Sequence, residues 1–188
     1  MYKVRKEALY LLEQQSAKGT IDLYYGDETK ISQRGYVPYG WQFEDEQVVI
    51  PATKGRSINC FGLLSRANDF IYKTTEQNIN SSFVIEILDV LSLAITKPTV
   101  VVLDNARVHT AHKVKQLFEV WQSRGLYIFY LPPYSPHLNI IERLWKEFKQ
   151  GWIKPSDYQS ADDLFYAVDR ICAAIGNKLF VNFTEFKF

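Results

Sequence analysis

The chain of 188 residues is 47% hydrophobic and 15% aromatic, with 22 basic and 21 acidic side chains and a net charge of +1. That length suits one domain, able to bury roughly 70% of the surface its unfolded chain exposes, and the aromatic content excludes a disordered chain. No run of about 18 apolar residues is present to span a membrane, no apolar segment opens the chain as a signal, and Cys60 and Cys172 make neither a zinc cluster nor a disulfide framework.

In chain order, residues 3–16 read as a short helix with Val4, Ala8, Leu11 and Leu12 on one side, closed by Gly19. Residues 21–25 read as a strand and 34–40 as a loop or wide hairpin. Residues 48–52 and 57–64 read as two further strands joined at Lys54-Gly55, with an edge over 69–73, so an antiparallel meander is predicted. Over 78–96 the period changes: Ile79, Phe83, Ile87, Leu91 and Ile95 recur every four residues, an amphipathic helix that Lys97-Pro98 stops. The apolar run 99–103 predicts a strand buried on both faces. A helix over 110–123 carries Ala111, Val114, Phe118 and Trp121 on its stripe, Gly125 caps it, and 126–131 forms a second buried strand. Ser135 and Pro136 are placed to start a helix that continues over 138–152, and 161–178 is the last helix. A meander followed by strand–helix–strand predicts an α/β mixed central sheet with helices on both faces. The whole of 1–188 is expected to be one domain, with 1–19 a lead-in helix and 155–188 a C-terminal helix and tail.

Charge is uneven along the chain. Residues 107–154 hold eight basic and three acidic groups between mildly acidic flanks. Arg107, Lys113, Lys115, Lys146 and Lys149 supply much of it, either as a surface facing a polyanion or as solvated helix faces.

Three acids sit at predicted element ends. Asp27 shares parity with Ile21, Leu23 and Tyr25 if the first strand continues, while Glu28 falls on the other face. Asp104 ends the apolar strand over 99–103. At 100° per residue, Glu142 lies on the shoulder of the stripe formed by Ile141, Trp145, Phe148 and Trp152, beside Lys149. If these acids converge, mutual repulsion and burial should raise their pKa values unless a divalent cation is present. Hard oxygen donors suit Mg²⁺ or Mn²⁺, and two such ions roughly 3.5–4 Å apart can drive phosphodiester cleavage. Asp104-Asn105 also reads as an ordinary strand-end turn. His109 and His112 lack the further ligands that zinc needs. Tyr134, among prolines, reads as a packing residue.

The strings YYGDETKISQRGYVPYGW, VVLDNARVHTAHKV and YLPPYSPHLNIIERLWKEFK resemble the three acidic motifs of the DDE transposases of the mariner-like superfamily, in its bacterial insertion-sequence branch. The resemblance covers about residues 20–152. It implies a ribonuclease H-like fold, with Asp27, Asp104 and Glu142 as the catalytic, metal-binding acids. The 37 residues between Asp104 and Glu142 fit such enzymes. It further implies a Mg²⁺ or Mn²⁺ two-metal site, hydrolysis of DNA at element ends, and attack of the freed 3′-hydroxyl on target DNA. Arg107, His109, Asn139, Lys146 and Lys149 are the residues expected to meet nucleic acid, with shaping the site the alternative for His109, and orienting a backbone group or capping the helix the alternatives for Asn139. Ile140 stands where this branch usually has Pro, and the family's N-terminal helix-turn-helix region has no counterpart ahead of the first motif. A separate DNA-binding polypeptide or frame, a homodimer, and a bacterial cytoplasmic, nucleoid-associated location are the corresponding expectations. An idle DNA-binding or interaction remnant and a nuclease for RNA–DNA hybrids are the rival readings; the Leu-Pro-Pro-Tyr-Ser-Pro string favours the transposase.

Overall fold

A computed structural model describes residues 2–33 and 55–183. The predicted strand at 48–52 and loop at 34–40 lie outside them. Helix α1 (Tyr2–Ala17) leads into β1 (Asp22–Ser32), β2 (Ser57–Leu64), β3 (Phe70–Thr75), α2 (Ser81–Ala94) and β4 (Thr99–Leu103). Then come three short helices, α3 (Arg107–Thr110), α4 (His112–Lys115) and α5 (Phe118–Ser123), followed by β5 (Leu126–Tyr130), α6 (Ile141–Glu147) and α7 (Ala161–Ala174). The strands form one mixed sheet in the order β3-β2-β1-β4-β5. β1, β2 and β3 pair antiparallel, and β4 and β5 join parallel to β1.

Alternation along the strands sends successive side chains to opposite faces, and each face has its own core. Leu23, Tyr25, Val100 and Val102 pack with Leu9 of α1, Leu144 and Trp145 of α6, and Leu164 and Val168 of α7. Tyr24, Phe61, Leu63, Val101 and Leu103 pack with Val84, Leu88 and Leu91 of α2 and Trp121 of α5. Every residue of β4 is buried, as its apolar run predicted. This is the predicted ribonuclease H-like mixed sheet flanked by helices on both faces. No helix among the described residues is long and apolar enough to cross a membrane.

Several expectations are corrected. β1 runs through Asp27 to Ser32 rather than ending near Tyr25. β5 is only partly buried, with Tyr127 exposed, because it is the sheet edge. The helix expected over 110–123 is broken at Ala111, whose backbone is extended at φ −56°, ψ 146°. The break lets His109 turn into the core while Val114 and Trp121 keep their stripe. Ser135 caps nothing: its hydroxyl donates to the Pro133 carbonyl at 3.2 Å, and Pro136–Leu138 forms one 3₁₀ turn. The helix expected over 138–152 is shorter, because Asn139 is extended at φ −93°, ψ 105° and Phe148–Trp152 widens into a π turn. The last helix ends at Ala174, ahead of Gly176 at φ +78°.

Candidate active site

Parallel pairing of Asp22–Tyr25 of β1 with Thr99–Val102 of β4 brings Asp27, midway along β1, near Asp104, just past the end of β4, and α6 crosses the same face. A close approach makes this crossing feasible. Gly62 lies opposite Asp27 in the β1–β2 register, and a Cβ there would come 2.5 Å from Phe70 and 3.0 Å from Trp145. With no side chain at Gly62, Trp145 of α6 seats against the sheet, and Glu142 follows one turn earlier. Asp27, Asp104 and Glu142 consequently line one cleft of about 420 Å³. Asn105, Ala106, Asn139 and the loop Leu131–Pro136 complete its walls.

The surroundings shift the three acids differently. Burial pushes Asp27 up to about 7, and repulsion from Glu28, Glu142 and Asp104 adds to it. Glu142 is also raised by burial and by Asp104, with Lys149 opposing. Asp104 goes the other way, against the sequence expectation that all three would rise. Its Oδ1 accepts from His109 Nδ1 at 2.7 Å and from the Ala106 backbone N–H at 2.9 Å, which holds its carboxyl below the usual range. The bond to Ala106 is the turn that Asp104-Asn105 suggested, so Asp104 is both a turn residue and a cleft residue. Asn105 donates to the Leu131 carbonyl at 2.7 Å, tying the turn to the opposite lip.

The residues expected to meet nucleic acid separate into two groups. Arg107 and Lys146 are exposed, and Lys149 is half-buried in the π turn, where burial lowers its pKa against the pull of Glu142 and Asp27. His109 and Asn139 are enclosed, contrary to a direct contact with DNA. The His109 ring has no exposure and lies between Asp104 and Glu28, with Nε2 3.1 Å from Glu28 Oε2. Burial works against its charge, but the two carboxylates outweigh that and raise it to about 9. Asn139 is 5% exposed and donates to the Gly26 carbonyl at 3.2 Å. Tyr134 does not pack: it is fully exposed on the cleft lip, in the left-handed region at φ 56°. Sequence reasoning passed over Glu28, whose one signal was its place behind Asp27 on an alternating strand.

Among the described residues, no three His, Cys, Asp or Glu side chains stand close enough, as placed, to ligate a metal ion. The donor chemistry nevertheless fits a hard divalent cation. Three carboxylates share one cleft, and the most buried of them holds its proton to near neutrality for want of compensating positive charge.

A family model described as DDE superfamily endonuclease matches residues 22–165. An uncharacterized protein, y4pE/y4sA of Sinorhizobium fredii, is 32% identical over 80 residues, 43% of this chain and 52% of that protein. Among solved structures, the Mos1 mariner paired-end complex with Mn is similar at TM-score 0.62 and 17% identity, over 90% of this chain and 54% of that one. The catalytic domain of Mos1 mariner transposase is similar at 0.57 and 16%, over 90% and 79%. The catalytic core of BIV integrase is similar at 0.51 and 15%, over 84% of each chain. The chain spans about half the length of the curated relative. These likenesses show the ribonuclease H-like fold, and the model covering Asp27, Asp104 and Glu142 shows the family: the chain belongs to the DDE superfamily endonucleases.

Proposed function

We propose that the chain is the catalytic unit of an insertion-sequence transposase, which hydrolyses DNA phosphodiesters at element ends and then joins the freed 3′ end to target DNA, its 3′-hydroxyl attacking a target phosphodiester and displacing the target strand's 3′-oxygen. One observation carries the reading: Asp27, Asp104 and Glu142, far apart in sequence, line a single cleft. The family supports it, as do neighbours described as paired-end complexes with Mn and with Mg and as a strand transfer complex. Asp27, Asp104 and Glu142 would hold the Mg²⁺ or Mn²⁺, which supplies Lewis-acid activation of water and stabilisation of the leaving oxygen. Asp27 keeps its proton near neutrality and releases it when positive charge enters the cleft. Lys149 offers a cation beside Glu142 and Asp27 for a phosphate oxygen, and Arg107 and Lys146 lie exposed to hold the flanking backbone. Asn139 and His109 act from within, on Gly26 and Asp104.

The test is nicking of supercoiled plasmid by the full chain with Mn²⁺ and with chelator. Cutting should need the metal, and Asp27→Asn, Asp104→Asn and Glu142→Gln should each lower it at least 100-fold. Undiminished cutting in one of these variants rejects that residue. Faster cleavage of an RNA–DNA hybrid than of duplex DNA would reassign the chain to the hybrid nucleases.

A further inference from the structure

The β1 strand delivers two neighbouring acids to opposite faces of the sheet, and only Asp27 lines the cleft. Glu28, opposite Phe61 in the β1–β2 register, lies on the face covered by α2 and α5. There its buried Oε2 lies 3.1 Å from His109 Nε2, an ion-pair contact outside hydrogen-bond geometry, while Nδ1 of the same ring donates to Asp104 Oδ1 at 2.7 Å. The imidazole is thus strung between two acids that come from the back of β1 and the end of β4. Its surroundings fix it further. The Tyr130 hydroxyl donates to the His109 carbonyl at 2.6 Å, and Phe61 presents its ring at a centroid distance of 5.7 Å and an interplanar angle of 60°. The chain breaks its helix at Ala111 to bring this side chain inward.

A histidine that only filled the core would need no carboxylate on either nitrogen. Here Nδ1 is hydrogen-bonded to one carboxylate and Nε2 faces a second at ion-pair distance, and Asp104 Oδ1 takes two protein donors, Ala106 N–H and His109. That leaves Oδ2 as the oxygen that Asp104 offers to the cleft. A free aspartate at a strand end would sample several rotamers, and a donor fixed from behind selects one.

We propose that Glu28 and His109 form a buried brace that holds Asp104 in its working orientation, making Glu28, behind the sheet, a positioning residue for the acid cleft. The proposal rests on reading Asp27, Asp104 and Glu142 as the metal-binding set. Glu28 holds the ring, the ring holds Oδ1, and Oδ2 faces the incoming cation. The brace also ties β1 to the end of β4 across the sheet.

Two amide variants separate positioning from packing. In His109→Asn the side-chain amide takes the place of Nδ1 and still donates to Asp104. In His109→Gln it takes the place of Nε2, reaching Glu28 but not Asp104. The measurement is Mn²⁺ affinity of the full chain, by titration with electron paramagnetic resonance of free Mn²⁺, alongside melting temperature. His109→Gln, which loses the donor to Asp104, should bind roughly 10- to 100-fold more weakly than wild type, and His109→Asn and Glu28→Ala, which keep that donor and lose only the Glu28 contact, should lie together between the two. Glu28→Gln, which keeps the side chain's shape but removes the charge facing the ring, should weaken binding less than Glu28→Ala. Equal Mn²⁺ affinity in His109→Asn and His109→Gln would make the ring a core filler and overturn the brace. Unchanged affinity in Glu28→Ala, at a partly exposed position where folding is not at risk, would overturn it independently. If Mn²⁺ binding by wild type is insensitive to Asp27→Asn and Asp104→Asn, the acid-cleft reading itself falls and the brace with it. If those variants lose the metal and Glu28→Ala does not, only the brace falls.

Discussion

Asp27, within β1, and Asp104, just past the end of the neighbouring parallel β4, carry the same carboxyl group, yet their surroundings drive them in opposite directions. Asp27 is buried among acids and is raised from 3.8 to about 7. Its folded state holds a proton that the unfolded state has already lost, so stability falls as pH rises from about 4 to about 7 and stays low above that. In chelator, Asp27→Asn should remove this slope and make the protein about 4 kcal/mol more stable than wild type at pH 8, measured by urea unfolding at pH 5 and pH 8. Asp104 has a lowered folded pKa through His109, so its contribution is present above its unfolded pKa and lost as pH falls through the folded value. The same experiment on Asp104→Asn should therefore show a loss of stability at pH 8. A gain there would mean that repulsion among the acids outweighs the hydrogen bonds to His109 and Ala106.

Among the elements, α6 depends on what it crosses. Its seat on the sheet is Gly62, and a methyl group there would force Phe70 and Trp145 to move. Gly62→Ala should cost about 1–3 kcal/mol by overpacking, read from urea unfolding, and should weaken Mn²⁺ binding as Glu142 is lifted from Asp27. Stability lost with Mn²⁺ affinity intact would place the strain in Phe70 alone. The interruptions around α6 were not visible in its hydrophobic period. Period reports which residues face the core; it does not report that the Asn139 amide bonds to the Gly26 carbonyl, or that the chain widens at Phe148–Trp152. Lys149, which the helical period already set beside Glu142, lies within this π turn and feels the charge of Glu142 and Asp27. Similarly, the stripe of Val114 and Trp121 was readable, but the break at Ala111 answers to His109 and two distant acids.

Taken whole, the molecule is a sheet covered on both faces, with its acids gathered at one end of the central strands and much of its basic surface on the segments that follow β4. Near-neutral net charge leaves local basic groups to attract DNA. Binding of the chain to random-sequence duplex should weaken steeply between 50 and 200 mM salt, and Lys146→Ala should reduce the slope of log K against log salt by about one. Fluorescence anisotropy checks this, and an unchanged slope would make Lys146 a solvated helix residue.

Much of the architecture could be read without coordinates. The apolar run at Thr99–Leu103 announced a strand buried on both faces, β2 has the predicted bounds, and the alternation from meander to strand–helix–strand predicted a mixed sheet. These are local properties: side-chain period and chain order depend only on neighbours in sequence. The same holds for the motifs that named Asp27, Asp104 and Glu142. Tertiary structure alone decided that these acids share a cleft, that Tyr134 stands in solvent, and that His109 and Asn139 work behind the surface. It alone brought Glu28 into the site's support. Each of these outcomes depends on a contact between residues distant in sequence, and local pattern carries no record of such a contact until the sheet closes around it.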